Sequence, residues 1–328
     1  MERARRGGWR WLAAIGAIAL GLVVTTAPAR ADRFATWLDG VRADARAAGI
    51  RPQILDAAFA GVAPLPRVIE LDHKQPEVTL GFGEYLDRVM PPARIDKARG
   101  KLAERRALLD QIAQRYGVPP RVMVALWGIE SDFGQQTGGF SVIAALATLA
   151  YDGRRSSYFR GELLDALRIL DHGDVPPAAM KGSWAGAMGQ SQFMPSTFLR
   201  YAVDYDGDGR RDIWSDGPDM FASIANYLAR SGWQAGESWG RAVNLPPGLD
   251  PGTASLDVVR PAVDWAALGV ARADGAPLDP NDPPSALILP GGVGGAAFLV
   301  FENFRVLLRW NRSNYFAAAV GLLADRIE

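Results

Sequence analysis

The stretch Ala125-Leu126-Trp127-Gly128-Ile129-Glu130-Ser131-Asp132-Phe133-Gly134 sets one carboxylate, Glu130, at the end of an apolar run. Just upstream, Tyr116-Gly117-Val118-Pro119-Pro120 reads as a turn, and Pro120 suits a first helical position, where its missing N–H costs nothing. The spacing of Val122, Val124, Ala125, Leu126 and Ile129 then predicts a helix. It should end near Glu130, because Gly128 and Gly134 weaken helix while Ser131 and Asp132 favour caps and turns. A carboxylate in such apolar company is costly to ionise. Desolvation should raise its pKa towards the range of a general acid working near neutral pH. Taken alone, the decapeptide fits a solvated or capping glutamate more often than a catalytic one.

Downstream residues shift that balance. Lys181-Gly182-Ser183-Trp184-Ala185-Gly186-Ala187-Met188-Gly189-Gln190-Ser191-Gln192-Phe193-Met194-Pro195-Ser196 joins glycines, amides and hydroxyls to the flat faces of Trp184 and Phe193. Such a mixture suits sugars, which present apolar ring faces and hydroxyl edges, although a packing loop with core aromatics fits equally well. Next, Asp204-Tyr205-Asp206-Gly207-Asp208-Gly209-Arg210-Arg211-Asp212 sets oxygen ligands at positions 1, 3 and 5, glycine at 6, a backbone carbonyl at 7 and a carboxylate at 9. That is an EF-hand-like calcium loop, with Ser215 where a bidentate glutamate is expected and Asp216 or Asp219 available to close it. Arg154 and Arg155, in the turn after Tyr151, could hold a substrate carboxylate or simply face solvent.

Around these motifs the chain reads as mostly α. Phe34 to Phe59 predicts two helices broken at Gly49-Ile50-Arg51-Pro52, and Ile95 to Tyr116 one long charged helix. Val142–Tyr151, Ser157–Leu170, Met220–Arg230 and Ala317–Ile327 have helical patterning too. No strand-like alternation appears before Gly240, whereas Gly240 to Gly295 turns rich in Pro, Gly and Asp with short apolar runs, as in a small β-rich insertion.

Composition excludes several classes. The 328 residues are 48% hydrophobic, enough for a buried core, and 36 basic residues balance 36 acidic ones, so no net field favours nucleic acid. With no cysteine there are no disulfides, no thiolate metal site, no cysteine nucleophile and no lipidated cysteine anchor. Arg3, Arg5, Arg6 and Arg10, then the apolar Trp11 to Val24, then Ala29-Arg30-Ala31, form the three parts of a cleavable signal peptide. The apolar run is short for a membrane span, so a periplasmic protein with no stable membrane anchor is expected.

Gly128-Ile129-Glu130-Ser131, the Gly182 to Pro195 stretch, the acidic loop leading to Ala225-Asn226-Tyr227, and Trp310-Asn311-Arg312-Ser313 resemble, in order and spacing, the membrane-bound lytic murein transglycosylase B family. The resemblance spans essentially the whole mature chain, Gln75-Pro76-Glu77 included. It implies a lysozyme-like α+β fold, mostly α, that cleaves the β-1,4 bond between N-acetylmuramic acid and N-acetylglucosamine of peptidoglycan, leaving 1,6-anhydromuramoyl ends. By the same resemblance Glu130 is the catalytic acid/base, Ser183, Gln192, Phe193, Tyr227 and Asn311 contact sugars, and Asp204, Asp206, Asp208, the Arg210 carbonyl and Asp219 bind a structural calcium ion. No cofactor is needed for the chemistry. The expected partners are glycan strands and other cell-wall enzymes. The chain departs from the family at Trp310 and Phe316, where tyrosines are frequent, so two sugar-facing hydroxyls should be lost.

The expected organisation is a signal peptide over 1–31, an N-terminal helical region over 32–120, and a lysozyme-like core over 121–240 with its calcium-type loop at 204–219. The β-rich insertion covers 241–300, and residues 301–328 return to the core. Two rival functions are a hydrolytic muramidase and a non-catalytic peptidoglycan-binding scaffold. An intact Glu130 among intact cleft residues disfavours the scaffold. The identity of the terminal sugar separates the two enzymes.

Overall fold

The computed structural model describes residues 26–74 and 80–327. Residues 1–25 of the expected signal peptide, and Gln75-Pro76-Glu77, lie outside the described residues. No helix among the described residues is long and apolar enough to cross a membrane.

Proline and glycine punctuate the helices. The first three, α1 (Thr26–Ala47), α2 (Pro52–Ala58) and α3 (Pro66–His73), are separated by the expected Gly49 to Arg51 break and by a proline-rich loop. Then come α4 (Phe82–Val89), α5 (Pro92–Glu104), α6 (Arg106–Tyr116) and α7 (Pro120–Ser131), the helix of the Glu130 stretch, with Pro120 at its first turn as predicted. The chain continues through α8 (Val142–Asp152), α9 (Ser156–His172), α10 (Pro195–Tyr201) and α11 (Pro218–Arg230), and ends with α13 (Glu302–Trp310) and α14 (Asn314–Arg326).

One expectation about this region fails. The single helix over Ile95 to Tyr116 is broken at Arg105, whose φ of −106° and ψ of 10° leave the helical region. A straight helix over those residues would run about 33 Å and could not bend around a neighbour. Broken, both halves turn apolar residues into one cluster with α7: Leu102 from α5, and Leu109 and Ile112 from α6. The Arg105 guanidinium bonds Asp216 at 2.5 Å beside this break. Strand is also found before Gly240: β1 (Phe140–Ser141) pairs antiparallel with β2 (Lys181–Gly182). Strands of two residues are too short to display any alternation in sequence.

The β-rich insertion contains β3 (Gly240–Asn244), β4 (Val259–Arg260), the short helix α12 (Ala262–Ala267), β5 (Ala271–Arg272), β6 (Ser285–Ile288) and β7 (Ala297–Val300). The strands form one antiparallel sheet in the order β4-β6-β7-β3-β5. Both faces of its centre are covered. Ala286, Ile288, Phe298 and Val300 face the helices, while Leu287, Ala297 and Leu299 join Trp265 of α12 on the other side. A strand buried on both faces reads as a continuous apolar run, which is how Ser285 to Leu289 appears in the sequence. The sheet is locked to α14 where Gly321 meets the Trp239 ring; a Cβ there would lie 2.2 Å from the indole.

Packing regroups the chain. One apolar cluster unites α5, α6, α7, α11, α13, α14 and the sheet; another unites α1, α2, α8, α9 and α10. Tyr227 of α11 and Trp310 of α13 pack against both clusters. Glu130 lies at this seam, because Trp310 reaches it.

Candidate active site

Helix α7 is buried along most of its length, from Val122 to Gly128 and again at Ser131, and leaves Glu130 half-buried near its C-terminus. The helix stops because the chain turns left-handed. Asp132 (φ 49°) and Phe133 (φ 58°) both lie in that region, unusual for residues with side chains. Three contacts hold the turn. The Ser131 hydroxyl accepts from Gly134 N at 3.1 Å, Trp127 Nε1 donates to Gln190 Oε1 at 2.7 Å, and the Phe133 ring folds back over Gly128, where a Cβ would lie 2.7 Å from it.

Among the described residues, one polar group hydrogen-bonds the Glu130 carboxyl. Trp310, the last residue of α13, donates its indole N–H to Oε1 at 2.7 Å. Burial pushes the Glu130 pKa up to about 7, against the opposing effect of that N–H, which favours the anion. Tyr85 of α4 lies near enough for its phenol pKa to be raised, first by burial and then by the Glu130 charge. Asp132, the neighbouring carboxylate, turns the other way: Arg94 Nε donates to it at 3.3 Å and Lys97 Nζ lies 3.5 Å from its other oxygen.

An aromatic wall stands beside the carboxyl. Phe193 is buried, with its ring centroid 5.3 Å from Trp310 and 5.9 Å from Tyr227, and Tyr227 meets Trp310 edge-on at 4.8 Å. The Tyr227 hydroxyl donates to the Arg309 carbonyl at 2.6 Å, tying α11 to the end of α13 and so fixing where Trp310 points.

The glycine-rich stretch forms a compact loop against β1. Gly182 permits this, since a Cβ there would sit 2.1 Å from the Ala187 carbonyl. Ser183 and Gln192 build the loop: the Ser183 hydroxyl accepts from Ala187 N at 3.0 Å, and the Gln192 amide donates to the Gly189 and Thr137 carbonyls at 2.9 and 3.2 Å. Gln192 holds a left-handed φ of 52°.

The predicted residues therefore fall into groups. Glu130, Phe193 and Tyr227 come together, with Asn311 exposed next to Trp310 and its side-chain oxygen accepting from Ser313 N. Arg154 and Arg155 belong elsewhere, over α3. Arg155 pairs with the buried Asp72 at 2.5 Å, and Arg154 donates to the Asp72 carbonyl at 3.2 Å. Sequence reasoning missed Tyr85 and missed the donor role of Trp310. The substitution at 310 removes a hydroxyl but brings an indole N–H to the acid. Phe316, the other departure, is 7% exposed in the main core, where an apolar ring belongs.

The acidic loop joins α10 to α11. Carboxylate oxygens of Asp204, Asp206, Asp208 and Asp219 lie within 4.8 Å of one another. Backbone N–H groups hold them there: Gly207 and Gly209 donate to Asp204 at 2.7 and 2.9 Å, and Tyr205 and Asp212 to the buried Asp219 at 2.7 and 2.8 Å. Burial raises the Asp219 pKa. Position 9 departs from the EF-hand pattern, because the Asp212 carboxylate accepts from Trp214 N and Ser215 instead of joining the cluster. An all-oxygen set with several carboxylates fits a hard cation such as calcium. The Arg210 side chain pairs with Asp208 at 2.9 Å.

The geometry can now be set beside known proteins. The family model of the transglycosylase SLT domain matches residues 33–325, nearly the whole described chain. The chain belongs to the lytic murein transglycosylase B family. It is 36% identical over 221 residues to membrane-bound lytic murein transglycosylase B of Escherichia coli, a match covering 67% of this chain and 60% of that relative. Among solved structures, SltB3 of Pseudomonas aeruginosa in complex with NAG-anhNAM-pentapeptide superposes with a TM-score of 0.87 at 48% identity, covering 89% of this chain and 78% of that one. The Escherichia coli lytic transglycosylase Slt35 in complex with calcium gives 0.74 at 30% identity, covering 90% and 92%. The lysozyme-like, mostly α fold of this family is the fold seen here.

Proposed function

We propose that this member acts as a periplasmic lytic transglycosylase: it cleaves the β-1,4 bond between N-acetylmuramic acid and N-acetylglucosamine in peptidoglycan and leaves 1,6-anhydromuramoyl ends. The observation that supports this best is Glu130, one desolvated carboxyl with a pKa near 7 beside an aromatic wall, while Asp132 is engaged by Arg94 and Lys97. Glycosidases with a protein nucleophile or a base-activated water need a second carboxyl group about 5–9.5 Å from the first. With one carboxyl, the nucleophile belongs to the substrate. Protonated Glu130 gives its proton to the glycosidic oxygen as the C1–O bond breaks, and the muramoyl N-acetyl oxygen shares the positive charge at C1. Glu130, now a carboxylate, takes the proton of the C6 hydroxyl as that oxygen bonds to C1. No water is consumed, and the acid regains its proton.

Phe193, Tyr227 and Asn311 would line the sugar path, and Ser183 and Gln192 would shape its loop, while Arg154 and Arg155 stay with Asp72. Asp204, Asp206, Asp208, Asp219 and the Arg210 carbonyl would hold calcium, which supplies stability to the helix-to-helix connection and takes no part in the chemistry. Two relatives support the substrate and the metal: SltB3 of Pseudomonas aeruginosa was solved with NAG-anhNAM-pentapeptide, and Slt35 with calcium.

Mass spectrometry of muropeptides released from purified peptidoglycan tests the reading. Anhydromuramoyl products from the wild type and none from Glu130→Gln are expected. Reducing muramoyl ends would make the protein a hydrolase, and no release from either protein would make it a binding scaffold.

A further inference from the structure

An indole N–H can donate a hydrogen bond but never accept one, so whatever faces it must present a lone pair. Trp310 aims this group at Oε1 of Glu130 from 2.7 Å, and no hydrogen bond among the described residues reaches Oε2. A protonated Oε1 would keep one lone pair but accept the indole N–H more weakly than a carbonyl or carboxylate oxygen, so the bond favours the proton on Oε2. The two oxygens of the acid are therefore not equivalent. We propose that Trp310 is a positioning residue that decides which oxygen of Glu130 works: the indole holds Oε1 unprotonated throughout the cycle, and Oε2 both delivers the proton to the glycosidic oxygen and receives the one from the attacking nucleophile.

The surroundings are built to keep the indole in that pose. Phe193 and Tyr227 contact its ring, and the Tyr227 hydroxyl pins the Arg309 carbonyl one residue before it. A tyrosine at this position would not impose the same choice, because a hydroxyl accepts as readily as it donates. Among the described residues, the other titratable groups facing the pair are Tyr85, on the α4 side, and Tyr227, both with pKa values raised by burial above the ordinary phenol value. Neither ionises near pH 7, so the proton is shared only within the acid. The inference rests on Glu130 being the catalytic acid, but holds for transglycosylation and hydrolysis alike.

The first test needs no turnover. In a 1H–15N spectrum of indole-labelled wild type, the Trp310 resonance, assigned by its loss in Trp310→Phe, should follow a titration centred at about pH 7. That titration should vanish in Glu130→Gln. An indole resonance that stays flat from pH 5 to 9 in the wild type overturns the contact. The second test is kinetic. Trp310→Phe keeps a ring but loses the donor; kcat should fall about tenfold or more with KM nearly unchanged, since the loss is to proton transfer rather than to sugar binding. Its alkaline limb should move to higher pH, because the lost N–H had favoured the anion. Trp310→Tyr should recover part of kcat and pull the limb back. A folded Trp310→Phe enzyme with wild-type kcat and an unmoved limb overturns the proposal. Reducing ends from the wild type would overturn transglycosylation alone, leaving both tests of Trp310 in force.

Discussion

Glu130→Gln should abolish turnover and, above neutral pH, make the protein more stable. The folded carboxyl titrates at about 7 against an ordinary value of 4.5. Below pH 4.5 both folded and unfolded chains hold the proton, and the group contributes nothing. Between 4.5 and 7 the unfolded chain releases the proton while the folded one keeps it, so stability falls as pH rises, and above 7 the penalty is complete. At 1.36 kcal/mol per unit the gap amounts to roughly 3 kcal/mol. Glutamine is neutral at every pH, and its carbonyl oxygen still accepts from Trp310. The variant should therefore match the wild type at pH 4.5 and gain up to roughly 3 kcal/mol by pH 8, a rise in Tm of about 5–10 °C for a chain of this size. Thermal unfolding followed by circular dichroism at both pH values reads the difference, and subtracting the acid value removes any packing change independent of pH. Equal Tm differences at pH 4.5 and 8 would refute the claim that Glu130 is desolvated, and with it the structural basis for its acidity.

Two further predictions concern neighbouring groups. Chelation should lower Tm, because a cation held by Asp204, Asp206, Asp208 and Asp219 binds only the folded state, with a loss of about 2.7 kcal/mol if calcium was at a hundred times its Kd; a Tm unmoved by chelator and by Asp219→Asn refutes the site. Asp132→Asn should keep kcat within about tenfold of wild type, since its carboxylate serves Arg94 and Lys97; a loss as deep as that of Glu130→Gln would restore a two-carboxylate mechanism.

Local signals were legible where they act locally. Pro120 begins α7, Gly134 follows its end, and Ser285 to Leu289 contains the strand that its apolar run suggests, because capping chemistry and burial on both faces act within a few residues. The break at Arg105 was not legible, since its periodicity stays helical and the reason to bend is an apolar surface on α7 that the sequence does not display. The calcium-type loop was legible as a spacing of aspartates, yet the turning away of Asp212 depends on Ser215 and Trp214 offering it hydrogen bonds.

Trp310 marks the limit most sharply. It is 180 residues from Glu130, and nothing near either residue announces the other. Read along the chain, a tryptophan where tyrosines are frequent is a lost hydroxyl. Read across the seam between the two helical clusters, it is a donor delivered to the acid, held by Tyr227, which also spans that seam, and by Phe193 of the second cluster. The residue types of an active site follow from its chemistry, and a motif can list them. Which oxygen holds the proton is set by how two independently packed clusters meet. Here that meeting is made by α13, whose last turn is tied to α11 by the bond from Tyr227 to the Arg309 carbonyl.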